Sequence, residues 1–589
     1  MSALKLLQSA NSIHDLAHLL GYKPAALGYV AYGLKGSSRY NTFDIPKRSG
    51  GLRTISAPST ELKALQRRLV AYLQRCIDEI DKGSPKKRRV AHGFQPAHSI
   101  FSNAAVHIGR KYVLNVDLKD FFGSIHFGRV RGFFIANNDF RLQPPVATIL
   151  AHLICDAGAL PQGAPTSPIV SNLIGHVLDM RLSRLAKANC CSYTRYADDL
   201  TFSTSLPTFP KALARPDSSD PSRWSAGKEL AKEIARCGFS LNPQKTRLQL
   251  RRSRQDVTGI VVNERLSVRA DYRRSVRAMV HSLRTKGTFE LTRSQLSAGA
   301  TSAVKIPGTL NQLEGAIAFL RQADYEHAKR LKIDYVKLSP AERVQRRFVF
   351  YRRFAAAPQG TLLLEGPTDS IYLREALRKL AGSYPSLATL TAGKLTLAIS
   401  LYKPTKQQAR LTGLSGGSAD YVKFLQDYLE DFKHIKAPSR GANPLVILLD
   451  NDSGADPVLK FVKGRFGVAP ISGKHWFHVT DNLYICLTGP PGGPPHCIED
   501  LFDPSVLSHK IGGKSFSKSN KLKPATEYGK VWLAEKVVKP NAATIDFDKF
   551  KPLLADLEAL IKDHAPGGPK PVPVAPAPAL APVPSPPNV

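Results

Sequence analysis

The sequence predicts a multidomain chain of mixed α/β and α+β architecture, and three observations lead there. At 589 residues the chain is several times the length of one domain, since domains run to about 100–200 residues. Short apolar runs of strand character recur between stretches of helical spacing. The charge balance also breaks near residue 358: residues 1–357 carry 56 basic and 26 acidic side chains, residues 358–589 carry 27 and 21. The total is +36, an excess that points to a polyanionic partner, nucleic acid ahead of an acidic membrane surface. A hydrophobic content of 43% excludes a globally disordered chain.

The elements follow in order. Residues 1–30 space Leu4, Leu7, Ile13, Leu16, Leu19 and Leu20 as short helices. Tyr40 to Pro58 alternates polar and apolar around Gly50-Gly51, predicting strand, turn, strand. Glu61 to Ile80 is helical, with Gln66-Arg67-Arg68 assigned to one face, and Lys86 to Arg89 is a basic cluster. Strands are expected at Lys111–Val116, Ser192–Tyr196, Asp199–Ser203 and Val257–Val262, and an inserted loop at Pro207 to Trp224. Ala270 to Arg353 reads as helical and basic. A new α/β pattern opens at Thr361, and the last 25 residues, with ten prolines, predict a disordered Pro/Ala-rich tail. Seven scattered cysteines form no Cys-x-x-Cys pair and suit reduced thiols. With no signal-like start and no long apolar run, the chain reads as soluble and intracellular, without a membrane partner.

The first set of chemistry-bearing residues is acidic. Nucleotidyl transfer uses two divalent cations about 3.5–4 Å apart, and hard cations take carboxylate oxygens held by rigid elements. Asp117 ends the apolar run Tyr112 to Val116, and Asp198-Asp199 follow Tyr196-Ala197 between two strand-like segments. Alone, an Asp-Asp pair reads as a solvated turn.

The surrounding motifs resemble those of reverse transcriptases. Tyr196-Ala197-Asp198-Asp199 is similar to their active-site box, and Asp117 in Val116-Asp117-Leu118-Lys119-Asp120-Phe121-Phe122 to their first catalytic aspartate. Leu160 to Pro168 is similar to the segment that contacts template and nucleotide, and Gly238 to Thr246 to the motif whose lysine, here Lys245, protonates departing pyrophosphate. The resemblance implies a right-hand polymerase with fingers, palm and helical thumb. Asp117 and Asp198 would be metal ligands and Asp199 a weaker one. Phe122 would be an aromatic gate against the ribose 2′-hydroxyl, and Gln162 and Gly163 nucleotide contacts; Arg53, whose guanidinium suits phosphate geometry, is the candidate for a triphosphate clamp, with a general template contact as the alternative. Asn103-Ala104-Ala105-Val106-His107 and Val257-Thr258-Gly259 resemble two elements of bacterial retron enzymes that recognise their own structured RNA. Membership would imply copying part of a partner non-coding RNA into a branched RNA–DNA hybrid (msDNA) from dNTPs, in the bacterial cytoplasm. Arg265, Arg269, Arg273, Arg274, Arg277 and Arg284 would then lie along duplex phosphates as the thumb.

A second acidic set lies beyond residue 360. The strand Thr361 to Leu364 leads into Glu365-Gly366-Pro367-Thr368-Asp369 and a helix. Pro444 to Leu449 leads into Asp450-Asn451-Asp452, whose two aspartates would share a side if the strand continued. Ile498-Glu499-Asp500 and Lys530 follow, and Leu414 to Asp420 is a Gly-rich turn able to cradle phosphate. This order resembles the Rossmann-like TOPRIM domain in its nuclease versions. It implies Glu365 as ligand or general base, Asp450 and Asp452 as ligands, Asp369, Glu499 and Asp500 completing a second metal position, and Lys530 steadying the phosphate. Both centres would take Mg2+, with Mn2+ as a substitute.

The expected division is 1–250 fingers and palm, 251–330 thumb, 331–359 linker, 360–535 TOPRIM nuclease, 536–564 helical extension and 565–589 tail. The expected function is a reverse transcriptase fused to an antiphage nuclease restrained by its msDNA, with homo-oligomerisation left open. Two alternatives stand: an intron-type or mobile-element enzyme with a DNA-nicking domain, and a TOPRIM domain that only binds nucleic acid as an assembly module.

Overall fold

The computed structural model describes residues 2–47, 51–83, 90–217, 220, 223–297, 300–332, 337–415, 417–519 and 522–564. The basic cluster Lys86 to Arg89, Gly416 and the Pro-rich tail lie outside them. The chain forms two compact units: Met1–Arg274 with Leu291–Ile306 and Phe319–Asp334, and Ser275–Glu290 with Pro307–Ala318 and Tyr335–Val589. Residues 251–330 thus divide between them.

In the first unit, β1 (Tyr40–Pro46) and β2 (Leu52–Pro58) form an antiparallel ribbon. The helix Thr60–Gly83 buries Leu62, Leu65, Leu69, Leu73 and Cys76 at helical spacing. Gln66 also turns inward, against the expectation of a polar face shared with Arg67 and Arg68, because residues in succession point about 100° apart. Its amide donates to the Tyr40 hydroxyl and the Leu153 carbonyl. The central sheet holds β3 (Tyr112–Lys119), β4 (Ser192–Tyr196) and β5 (Asp199–Thr204) in the order β4-β5-β3, all antiparallel. Ser240–Leu241 and Arg247–Leu250 pair with the other edge of β3. The helix Thr166–Ala188 buries one long face, including Ile169, Val170, Leu178 and Leu182, in the same apolar core as Leu114, Val116, Leu200 and Phe202 of the sheet.

Two expectations need correction. Val257–Val262 is not one strand: Asp256–Val257 and Ile260–Val261 pair antiparallel across Thr258 (φ 48) and Gly259 (φ 81), the left-handed conformations that tight hairpin turns require. The basic segment Ala270 to Arg353 is not wholly helical, since Glu290–Ser297 and Ala300–Pro307 form a two-stranded sheet. The β-branched Thr292, Val304 and Ile306 there favour strand over helix.

In the second unit a five-stranded sheet runs Ser400–Tyr402, Thr361–Leu364, Leu445–Leu449, Leu483–Leu487, Trp476–Thr480. The first four pair in parallel and Trp476–Thr480 is an antiparallel edge. Thr361 to Leu364, Leu445 to Leu449 and Leu483 to Leu487 are apolar along nearly their whole length because both faces of a parallel sheet are covered. Leu362, Val446 and Leu448 share a core with Tyr372 and Leu373 of the helix Asp369–Leu380 and with Leu553, Leu554 and Leu557 of the helix Lys551–Asp563. No helix among the described residues is long and apolar enough to cross a membrane.

Candidate functional site

In the first unit the antiparallel register sets Asp117 directly opposite Asp199. Tyr196 pairs with Asp199, so Ala197 and Asp198 form the two-residue turn between β4 and β5. Ala197 sits at φ 56, a conformation disfavoured for a residue with a Cβ. Three features hold it there. A side chain at Gly93 would lie 2.6 Å from the Ala197 nitrogen, so the neighbouring loop packs directly on the turn. Leu118 N–H donates to the Asp198 carbonyl (3.1 Å). From the core, Arg195 donates to the Ala197 carbonyl (3.2 Å) and to Asn172 Oδ1 (3.1 Å), and its Nε and Nη2 grip Asp179 at 2.8 and 2.7 Å. Arg195 is fully buried. No sequence motif marked this pair, because its members lie sixteen positions apart on a helix and a strand.

The carboxylates repel one another. Desolvation, then Asp198 and Asp117, push Asp199 up to about 6, although its side chain keeps an exposed face. Desolvation first, with Asp117 adding to it, also raises Asp198. Lys245 meets this charge: its Nζ lies 2.8 Å from Asp117 Oδ2, and that hydrogen bond holds the ammonium above its ordinary value. Asn242 donates to Asp117 Oδ1 (3.2 Å). Arg53 of β2 is exposed and close enough for its charge to act on Asp198. Phe122 is half-buried against Phe121, with ring centroids 5.4 Å apart. Gln162 is half-buried and its carbonyl accepts from Ser56 N–H (2.8 Å). Gly163 has φ 128, and a Cβ there would stand 2.7 Å from the Ser56 carbonyl oxygen. Only glycine lets that loop lie against β2.

The retron-like elements are placed differently from expectation. Asn103 and His107 are wholly buried and cannot touch an RNA. Two hydroxyls in the core satisfy the His107 ring, Ser203 on Nδ1 (2.7 Å) and Thr194 on Nε2 (2.8 Å), and burial lowers its pKa to about 3. It therefore pins β4 and β5 as a neutral ring. Val257 is buried too, while Gly259 is exposed at the turn. Thr258 Oγ1 donates to the Ile100 carbonyl (3.2 Å), fastening the turn to the helix Ile100–Ala105.

In the second unit Glu365 and Asp450 extend from neighbouring parallel strands, at the carboxyl ends where α/β sheets place their sites. Asp450 N–H donates to Glu365 Oε2 (3.1 Å), Ile498 N–H to Asp450 Oδ1 (2.9 Å), and Gly366 N–H to Asp369 Oδ2 (2.8 Å). Glu499 is fully buried and faces Lys530 Nζ at 3.0 Å. Burial foremost, then the other carboxylates, pushes Asp450 up to about 7 and Asp369 to about 6, and raises Glu365. Burial opposes the charge of Lys530, but Glu499 and Asp450 outweigh it and hold the ammonium up. A cavity of about 460 Å³ opens on Glu365, Asp369, Asp450, Lys530 and Trp532.

Two expected members stand apart. The strand stops at Leu449, and Asn451 bridges to His496, so Asp452 is not carried onward beside Asp450. It is exposed and accepts Gly454 N–H at 2.8 Å, although its charge still raises Glu365. Asp500 caps its own short helix at Cys497 N–H (2.9 Å) and pairs with Lys518. Against the cost of burial, these partners hold it down to about 2. In the Gly-rich turn, Asp420 accepts Ser415 N–H (2.7 Å).

Among the described residues, no group of three or more His, Cys, Asp or Glu side chains converges at metal-ligand spacing. The donor chemistry still fits a hard cation in both units: carboxylates held by rigid strands and turns, of which Asp198, Asp199, Glu365, Asp369 and Asp450 are raised by burial first and by neighbouring carboxylates second.

The family of reverse transcriptases (RNA-dependent DNA polymerases) matches residues 45–277. The retron Mx65 reverse transcriptase of Myxococcus xanthus is 38% identical over 310 residues, 50% of this chain and 63% of that protein. The retron Mx162 enzyme of the same organism is 34% identical over 348 residues, 54% of this chain and 65% of that protein. The chain thus spans just under two thirds of both. With the retron Ec86 reverse transcriptase of Escherichia coli it is 34% identical over 277 residues, 46% of this chain and 78% of that protein. The chain belongs to the retron reverse transcriptase family. Asp117, Asp198, Asp199 and Lys245 all lie inside the segment matched to the reverse transcriptase family.

Proposed function

We propose that the chain is an RNA-directed DNA polymerase that copies part of a structured non-coding RNA into msDNA, a DNA branched from that RNA. The observation that carries this reading is the pairing of Asp117 with Asp199 across β3 and β5, beside the Asp198 turn and with Lys245 on Asp117. Asp117 and Asp198 would hold Mg2+, or Mn2+ in its place, with Asp199 in support. When bound, such ions activate the attacking hydroxyl and offset triphosphate charge. Lys245, kept protonated by Asp117, would yield its proton to departing pyrophosphate. Arg53 would clamp the triphosphate, Gln162 would orient the nucleotide, and Phe122 would exclude a 2′-hydroxyl. Residues 1–250 would form fingers and palm, and 251–330 the thumb. The test is to express the chain in bacteria with its RNA, recover bound nucleic acid, and treat it with RNase, DNase and a debranching enzyme. One short RNA-linked DNA, absent from Asp117→Asn, is the expected result; long heterogeneous copies would reject the retron reading in favour of a mobile-element one.

We further propose that residues 360–535 are a TOPRIM-type metal-dependent nuclease, in which Glu365, Asp369, Asp450 and Glu499 would hold the cation and Lys530 would steady the phosphate. What supports this is the cavity that gathers Glu365, Asp369 and Asp450 with Lys530, and the ion pair of Lys530 with the buried Glu499. Carboxylates repel a phosphate backbone, so a domain that only grips nucleic acid would not concentrate them there. The effector role is antiphage defence in the bacterial cytoplasm, restrained by msDNA. Cleavage by the purified complex should rise when its DNA is digested and vanish in Asp450→Asn; equal cleavage with and without the DNA would reject the restraint.

A further inference from the structure

The chain has three tryptophans, and the fold treats them differently. Trp224 packs against Phe209, with ring centroids 6.5 Å apart, and Trp476 against Tyr484 at 6.1 Å. Trp532 is 49% exposed. It stands on the wall of the cavity of about 460 Å³ that also receives Glu365, Asp369, Asp450 and Lys530. Val531 and Leu522, both exposed, line the same cavity. Three large apolar side chains exposed together on one cavity wall mark a binding surface.

The backbone fixes the indole in place. Trp532 N–H donates to the Gly529 carbonyl (3.0 Å), and the Tyr372 hydroxyl, on the helix Asp369–Leu380, donates to the Lys530 carbonyl (3.2 Å). Immediately afterwards Leu533 and Ala534 are wholly buried in the core of the unit. The segment cannot turn to bury Trp532 without drawing Leu533 out. The ammonium two positions before the indole is fixed as well, on Glu499 at 3.0 Å. One side of the cavity therefore offers carboxylates and a lysine, which suit a cation and a phosphate, and the other a flat apolar ring, which suits another ring. A nucleotide joins both chemistries in one group, and the volume lies in the range of such a ligand.

We infer that, in the nuclease reading on which this rests, Trp532 stacks on an unpaired base whose phosphate lies at the carboxylates, so that the second unit takes single-stranded nucleic acid. In a duplex both faces of a base are covered by stacked neighbours, and only an unpaired base has a face to give. Stacking reads no base edge, so all four bases fit. Trp532 is thus a specificity-determining residue: it selects strandedness and not sequence.

The experiment uses the full chain with Ca2+ in place of Mg2+ and a trinucleotide carrying 2-aminopurine at its centre, whose emission falls when that base stacks. Deoxy and ribo forms are titrated separately, and the form bound more tightly names the sugar. Wild type is compared with Trp532→Phe and Trp532→Ala, each checked for folding by circular dichroism and melting point. Wild type should quench the probe saturably and Trp532→Phe should keep most of the quench. Trp532→Ala should bind about 5–150-fold more weakly, the range for one lost base stack. An unlabelled single strand should displace the probe from wild type, and a blunt duplex of the same sequence at least tenfold less well. No saturable quench by wild type, an equal quench by Trp532→Ala, or a duplex that competes as well as the strand overturns the inference. So does a Trp532→Ala chain that keeps the quench and changes its sedimentation coefficient, which would make the patch a contact between copies. Cleavage is scored apart, in Mg2+, against Asp450→Asn. A Trp532-dependent quench without cleavage would support the stacking and reject the nuclease reading, and cleavage without that quench would do the reverse.

Discussion

Removing the Arg195 guanidinium tests how the Asp198 turn is held. Arg195→Met leaves Asp179, itself 2% exposed, with the Tyr193 hydroxyl (2.9 Å) as its remaining side-chain donor among the described residues. The Ala197 carbonyl also loses its anchor. Breaking one side of a buried pair costs roughly 3–5 kcal/mol, which corresponds to a melting point lower by about 6–20 °C for a unit of this size. The double variant Arg195→Met with Asp179→Leu removes both charges, so most of that stability should return. Activity should not return with it, because the strained Ala197 turn still lacks the Arg195 bond. The assay pairs calorimetric melting with primer extension on a homopolymer RNA template. We expect both variants to extend primers at least tenfold more slowly, with the double variant melting close to wild type. A single variant that melts within 1 °C of wild type, or a double variant that polymerises normally, would refute the reasoning.

Other consequences are as direct. Lys245→Met should lower the extension rate by about 10²–10⁴-fold, the range for a lost general acid, with template binding unchanged in a filter assay. Asp199 is held up to about 6 and Asp198 is also raised, so both keep their protons to higher pH than ordinary aspartates; extension at limiting Mg2+ should climb through pH 6 and level off above it, and a flat profile from pH 5 to 8 would contradict the charge crowding. In the second unit the folded chain raises Asp450 to about 7. That contribution to stability is present below the unfolded value and lost as pH rises through 7, so metal-free protein should weaken on going from pH 5 to 8. Asp450→Asn should recover about 2–4 kcal/mol at pH 8, because each tenfold difference in proton affinity between the folded and unfolded chain is worth about 1.36 kcal/mol; the gain is read as a higher melting point in EDTA. Gly163→Ala should destabilise by about 1–3 kcal/mol through its φ of 128 and the clash with Ser56, measured by urea titration.

The sequence was legible where chemistry and local pattern coincide. Asp198 and Asp199 lie at a turn that alternation already marks, Asp117 closes an apolar run inside a strand that continues to Lys119, and Glu365 and Asp450 close apolar runs long enough to be buried parallel strands. It was opaque where the decisive contact is distant or where a boundary shifts by one residue. Arg195 looks like any strand arginine until the fold buries it on Asp179. Asp452 was paired with Asp450 on the assumption that the strand continued, but pairing ends at Leu449 and Asn451 bridges to His496. Asn103 and His107 read as RNA contacts from their resemblance to a retron element; the fold buries both, and the core supplies the His107 ring with two hydroxyls.

His107 has a consequence for any exchange of the Val257 to Gly259 turn. The helix Ile100–Ala105 that receives Thr258 leads straight into this histidine, whose ring joins the two strands bearing Tyr196 and Asp199. The exposed Gly259 turn and the Asp198 turn therefore hang from one short scaffold. A foreign turn grafted at Gly259 would disturb the Asp198 turn along with it, so the swap would have to carry the scaffold helix as well.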